Sequence, residues 1–159
     1  TLGLYAETQG ISKAIAPMLG TFSLIALTIG YLLGIVFVPK YINQSKALAL
    51  SAILGIVFAT FAIITQGMTS IIFIILLSFA HAMMWPSIWP LSIDKLGSHT
   101  ALGSALLIMA IAGGAILPLL YGSFVDLLGG DRQLPYIMLL PCYAMIFYFS
   151  VWGHKVGKK

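Results

Sequence analysis

Charge is the scarcest commodity in this 159-residue chain. Eight Lys and Arg and four Asp and Glu make up 8% of it, against 60% hydrophobic residues and a mean hydropathy of +1.06. Soluble domains carry about 25% charged residues, and so few charges cannot furnish a water-facing surface on a body of this size. A soluble globular domain and a disordered segment are both excluded. Cations are too scattered for a nucleic-acid site: Lys13, Lys40, Lys46, Lys95 and Arg132 stand singly, and only Lys155, Lys158 and Lys159 cluster. No basic stripe with interleaved aromatics exists, so no nucleic-acid partner is expected.

Cysteine is nearly absent. Cys142 is alone and lies inside an apolar run, so it cannot form an internal disulfide, and no Cys/His spacing suits a metal. It reads as a packing residue, and neither a metal nor a cofactor is expected. A catalytic set is lacking too. There is no Gly-rich phosphate loop and no nucleophile beside a base. His81, Asp94 and His99 do not gather on a helical span, because His81 lies about 20 Å along the axis from Asp94 at 1.5 Å per residue. An enzyme is therefore not expected. The first twenty residues show neither a basic n-region nor a small-residue cleavage site. The chain opens on Thr1 rather than Met and is expected to be a fragment whose upstream part is absent.

What is present is length of apolar sequence. A helix crossing the bilayer needs about 20 mainly apolar residues, and five stretches qualify: 21–38, 47–65, 71–93, 101–125 and 134–152. None contains Asp, Glu, Lys or Arg. Runs such as 71–77 do not alternate as the strands of a membrane barrel would, and they are apolar all round, as helices in lipid are. The expected fold is an all-α membrane protein of five transmembrane helices. Short connectors force neighbouring helices to run antiparallel. Residues 1–20 read as the end of a truncated preceding helix followed by a loop, and residues 153–159 as a basic tail. One side of the membrane then receives Lys40, Lys46, Lys95, Lys155, Lys158 and Lys159, the other Lys13 and Arg132. By the positive-inside rule the C-terminus is cytoplasmic.

The spans carry several unusual features. Gly30 and Gly34 stand at GxxxG spacing, which lets helix backbones approach closely in lipid and, in transporters, slide or rock. Pro86 and Pro90 each remove a backbone donor and clash with the preceding turn. The third span should kink there, a defect tolerated only inside protein or beside a wet cavity. His81, Trp85 and Trp89 follow at i, i+4 and i+8 and share a face. Indole rings can stack on the apolar face of a sugar while His81 exchanges hydrogen bonds, and Met84 is counted with this substrate-facing set. Trp89 equally suits an interfacial belt, and Trp85 a packing position. His81 is the one ionisable side chain at mid-membrane depth. A charge there is costly, so it reads as a hydrogen-bonding group rather than a proton carrier. Gly113 and Gly114, with Pro118 a turn beyond, form a candidate flexing or close-approach site in the fourth span. Pro135 suits the start of the fifth span, and Pro141 is expected to kink it.

Taken together, the runs Trp85-Pro86-Ser87-Ile88-Trp89-Pro90-Leu91, Leu96-Gly97, Gly103-Ser104-Ala105-Leu106-Leu107 and Gly113-Gly114-Ala115-Ile116-Leu117-Pro118 resemble the fucose–proton symporter family of the major facilitator superfamily. Gly30-Tyr31-Leu32-Leu33-Gly34 and Phe37-Val38-Pro39-Lys40-Tyr41-Ile42 are similar to its eighth helix and the following loop. The resemblance implies a twelve-helix importer of fucose, glucose or galactose with protons, residing in the bacterial inner membrane. This chain would be the C-terminal half without most of helix seven, residues 1–5 being that helix's outer end. The proton-coupling acids of the family belong to the other half, so the implied partners are a sugar, a proton and the bilayer. Family members often carry Asn where this chain has His81, which leaves the exact sugar open. A hydrophobic-drug transporter and a structural subunit of a membrane complex are the alternatives.

Overall fold

In hydrocarbon, every backbone N–H and C=O must find its partner within the chain, which leaves helices or a closed barrel. A computed structural model describes residues 2–12 and 15–156. Among these residues the backbone takes the helical solution and contains no strand. Thr1, Lys13, Lys158 and Lys159 lie outside the described residues, and with them part of the expected outer helix end, one outer cation and two cations of the basic tail.

The helices are α1 (Leu2–Thr8), α2 (Ala16–Phe37), α3 (Gln44–Ile64), α4 (Gly67–His81), α5 (Met84–Ile93), α6 (Thr100–Ala110), α7 (Gly113–Leu127) and α8 (Leu139–Val151). Short 3-10 turns lie at Gly97–His99, Leu134–Met138 and Gly153–Lys155. Grouped across their internal breaks, these make five segments long and apolar enough to cross a membrane: Ala16–Phe37, Gln44–Ile64, Gly67–Ile93, Gly97–Leu127 and Leu134–Lys155. The segments reach beyond the charge-free stretches of the sequence. Lys46 falls in the first turn of α3, Asp126 in the last turn of α7, and Lys155 in the closing 3-10 turn.

Proline places several of the boundaries. Pro17 sits in the first turn of α2, where its missing N–H would have had no partner. Pro39 restricts the residue before it; Val38 is extended at φ −111°, ψ 130°, and α2 ends at Phe37. In the fifth segment Pro135 lies in the 3-10 turn and Pro141 in the first turn of α8. The expected kink at Pro141 is therefore a change from 3-10 to α geometry ahead of it, because a first-turn proline has no intrahelical bond to break.

α3 is the axis of the bundle. It packs against α4 and α8 through a stripe of buried residues, Leu48, Ala52, Gly55, Ala59 and Ala62, spaced four and three apart. Small side chains at helical spacing let the backbones meet closely where lipid supplies no hydrophobic drive. Two apolar clusters result. One gathers Tyr5, Leu19, Ala62, Ile71 and Ile74, the other Leu48, Ala59, Leu77, Met84 and Tyr143. The fourth segment stands apart: α6 has no buried residue, and α7 has only Val125.

Side-chain hydrogen bonds bind the end of the bundle where α3 finishes. The last carbonyls of any helix lack intrahelical donors. Here Gln133 Nε2 donates to the carbonyls of Ala62 (2.8 Å), Ile63 (2.8 Å) and Thr65. Gln9 Nε2 donates to Gln133 Oε1 at 3.0 Å, and its own Oε1 accepts from the Gly67 N–H at 2.8 Å. Beneath this clamp the Tyr5 hydroxyl meets Ser70 Oγ at 2.5 Å, and Ser70 donates to the Ala62 carbonyl at 2.6 Å.

Candidate functional site

The third segment is broken where the prolines require it. A proline ring collides with the carbonyl four residues earlier, which for Pro86 is that of Ala82. α4 stops at His81, Ala82 and Met83 form a turn, and the Ala82 N–H reverts to a tight bond with the Phe79 carbonyl at 3.2 Å. Pro90 sits inside α5 without ending it. One of the two predicted defects interrupts the helix, and the other is absorbed.

The break divides the side chains by face. Ala80, Ala82, Met84 and Ser87 are buried in the bundle, whereas His81 and Trp85 are exposed and Trp89 is half-buried. The two indole rings pair at 5.8 Å between centroids, inclined by 58°. His81 pairs elsewhere. Its Nε2 lies 2.6 Å from the Tyr143 hydroxyl on α8, with the rings 5.7 Å apart. Met84, counted with the substrate-facing residues, points away from them. It is 7% exposed and packs in the cluster of Leu48, Leu77 and Tyr143, so its place is in the core.

Gly30 and Gly34 bring α2 against this same break. A Cβ on Gly30 would stand 2.5 Å from the Ala82 Cβ and 2.9 Å from the Phe79 carbonyl oxygen, and one on Gly34 would overlap the Met83 sulfur. Beside that crossing lies a cavity of about 190 Å³ bordered by Tyr31, Gln44, Met83, Pro86 and Ser87. The Ser87 hydroxyl is buried there with no hydrogen-bond partner among the described residues.

The fourth segment is interrupted as well. Ile111 and Ala112 separate α6 from α7, and the amides of Ile111, Ala112, Gly114 and Ala115 bond three residues back in 3-10 fashion. Gly113 and Gly114 open α7, and a Cβ on either would meet no described atom within 4 Å. Within this chain these glycines mark a break rather than a close approach. Pro118 continues inside α7 and borders an apolar cavity of about 210 Å³ with Leu117, Tyr121 and Tyr136.

Three features escaped the sequence reading: Tyr143, Gly55 beneath its ring, and the Gln9–Gln133 clamp. The four-and-three spacing of small residues along α3 marks Gly55 in retrospect. Nothing local marks the pairing of His81 with Tyr143, 62 residues away.

The chain has relatives of known name and structure. No protein-family model matches it. A glucose/galactose transporter of Brucella abortus (strain 9-941) is 35% identical over 116 residues, which is 73% of this chain and 28% of that protein. An L-fucose-proton symporter of Haemophilus influenzae is 31% identical across 97% of the chain and 37% of its own length. Along its own length the chain is similar to members of the fucose–proton symporter family of the major facilitator superfamily. It spans about a third of the length of the curated relatives it matches. The fold agrees with that of this transporter family. The crystal structure of the Escherichia coli fucose:proton symporter superposes with a TM-score of 0.82 at 23% identity, covering 94% of this chain and 39% of the solved one. The five apolar segments are those of a multi-pass membrane protein. The relatives in this family are transporters rather than enzymes.

Proposed function

We propose that this chain forms the C-terminal half of a proton-coupled importer of a hexose or deoxyhexose, lining part of the sugar cavity. The observation that carries the reading is the strip at the break of the third segment. His81 and Trp85 remain open and Trp89 half-open, whereas Ala80, Ala82, Met84 and Ser87 are buried. A pyranose has an apolar C–H face and a rim of hydroxyls. The indoles suit the first and the imidazole the second. Broken helices at mid-membrane depth are also where secondary transporters bind substrate between two repeats that rock about it.

In this reading the five segments are helices eight to twelve, and α1 is the outer end of helix seven. The charge-free stretches hold no acid that could carry a proton, so coupling falls to the other half. The cation asymmetry favours a cytoplasmic C-terminus in the bacterial inner membrane. The names of the relatives, a glucose/galactose transporter and an L-fucose-proton symporter, support the substrate class.

The test is uptake of labelled glucose, galactose and fucose into proteoliposomes of the whole protein under an imposed proton gradient. At least one sugar should accumulate. His81→Ala should raise its KM about tenfold, equivalent to the ~1.4 kcal/mol of one hydrogen bond. Failure of all three sugars to accumulate would sink the proposal.

A further inference from the structure

We infer that Tyr143 is a positioning residue that decides which nitrogen of His81 carries the proton and is offered to the sugar. The inference rests on the sugar-site reading of His81 given above. Tyr143 is 2% exposed and held within the cluster of Leu48, Ala59, Leu77 and Met84. Its ring lies over Gly55, whose Cβ would stand 2.9 Å from Tyr143 Cδ1 and 3.0 Å from Cε1. The absent side chain is what lets the phenol settle against α3 and reach α4. From there its hydroxyl meets His81 Nε2 at 2.6 Å.

A neutral imidazole has one donor nitrogen and one acceptor. A buried phenol hydroxyl needs an acceptor, and Nε2 is the group that Tyr143 is seen to meet. When Tyr143 donates to Nε2, the ring proton resides on Nδ1. His81 is exposed, so the Nδ1–H is then the ring group left to select an acceptor on the sugar, a hydroxyl or ring oxygen. Without the phenol hydroxyl both tautomers become accessible, and the donor is offered only part of the time.

The decisive measurement is ¹⁵N NMR of imidazole-labelled whole protein in lipid nanodiscs, with the His81 signals identified by their loss in His81→Asn. In the unmodified protein Nδ1 should be protonated and Nε2 bare. Tyr143→Phe, which keeps the ring on Gly55, should move protons to Nε2. Gly55→Ala, which displaces the ring, should do the same. In uptake assays Tyr143→Phe should raise sugar KM about tenfold with Vmax within about twofold, and the KM effect should vanish on a His81→Asn background. A protonated Nε2 in the unmodified protein, an unchanged tautomer in Tyr143→Phe, or equal KM effects on both backgrounds would each overturn the inference. If His81→Ala alone leaves KM unchanged, the sugar-site reading fails instead, and the spectra still decide whether Tyr143 sets the tautomer.

Discussion

Gly34 and Met83 show how much one missing methyl group can govern at the residue scale. The methionine sulfur occupies the space that a side chain on Gly34 would need, at the turn where the third segment breaks. Gly34→Val must expel the thioether or part the helices. Overpacking of this kind costs about 1–3 kcal/mol, so the variant should have a lower thermal midpoint in detergent. Gly114→Ala, with no described atom within 4 Å, should not. Equal midpoints for Gly34→Val and the unmodified protein would refute the close-approach role. The GxxxG spacing made Gly30 and Gly34 legible because the motif has a fixed geometric meaning. Met84 lies in the core cluster for a related reason: adjacent residues on a helix point about 100° apart, and Trp85 beside it has the open face.

At the scale of elements, the broken helix is the feature on which the proposed site depends. Pro86 forfeits a donor to the Ala82 carbonyl and ends α4, whereas Pro90 is carried within a continuous α5. Pro86→Ala can restore that bond and let α4 and α5 join. Its thermal midpoint should hold or rise, while the sugar uptake rate falls about tenfold, ~1.4 kcal/mol on the barrier. Pro90→Ala should change uptake less. Normal uptake with Pro86→Ala would show that the break plays no part in transport. Proline marked the kink of the third segment, since its effect on the backbone is local, whereas the paired glycines of the fourth left flexing and close approach both open. The Gln9–Gln133 clamp was not legible. It joins loops remote in sequence, and loop carboxamides carry no periodic signal.

For the whole molecule, the sidedness of charge makes the most consequential claim. In the whole protein, cleared of native cysteines including Cys142, a single cysteine can be placed at Arg132 or at Lys155. A membrane-impermeant maleimide applied to right-side-out vesicles should label Arg132→Cys and spare Lys155→Cys. The reverse pattern would invert the topology. The five segments could be read from sequence because hydrocarbon excludes charge over a known thickness. Which segments touch could not, because apolar faces in lipid look alike. The central position of α3 rests on small residues whose effect shows only when another backbone lies against them.

The fourth segment has a further physical consequence. It runs 31 residues, Gly97–Leu127, well beyond the ~20 that a bilayer core requires. Its contacts with the bundle are concentrated on α5 at one end and the 3-10 turn of Leu134–Met138 at the other. Excess hydrophobic length is relieved by tilting, kinking or thickening the membrane, at fractions of a kcal/mol per Å. The break at Ile111 and Ala112 gives this segment a place to bend. Among the five segments it is the longest, and the lipid chain length of the host membrane becomes a variable that bears on its shape.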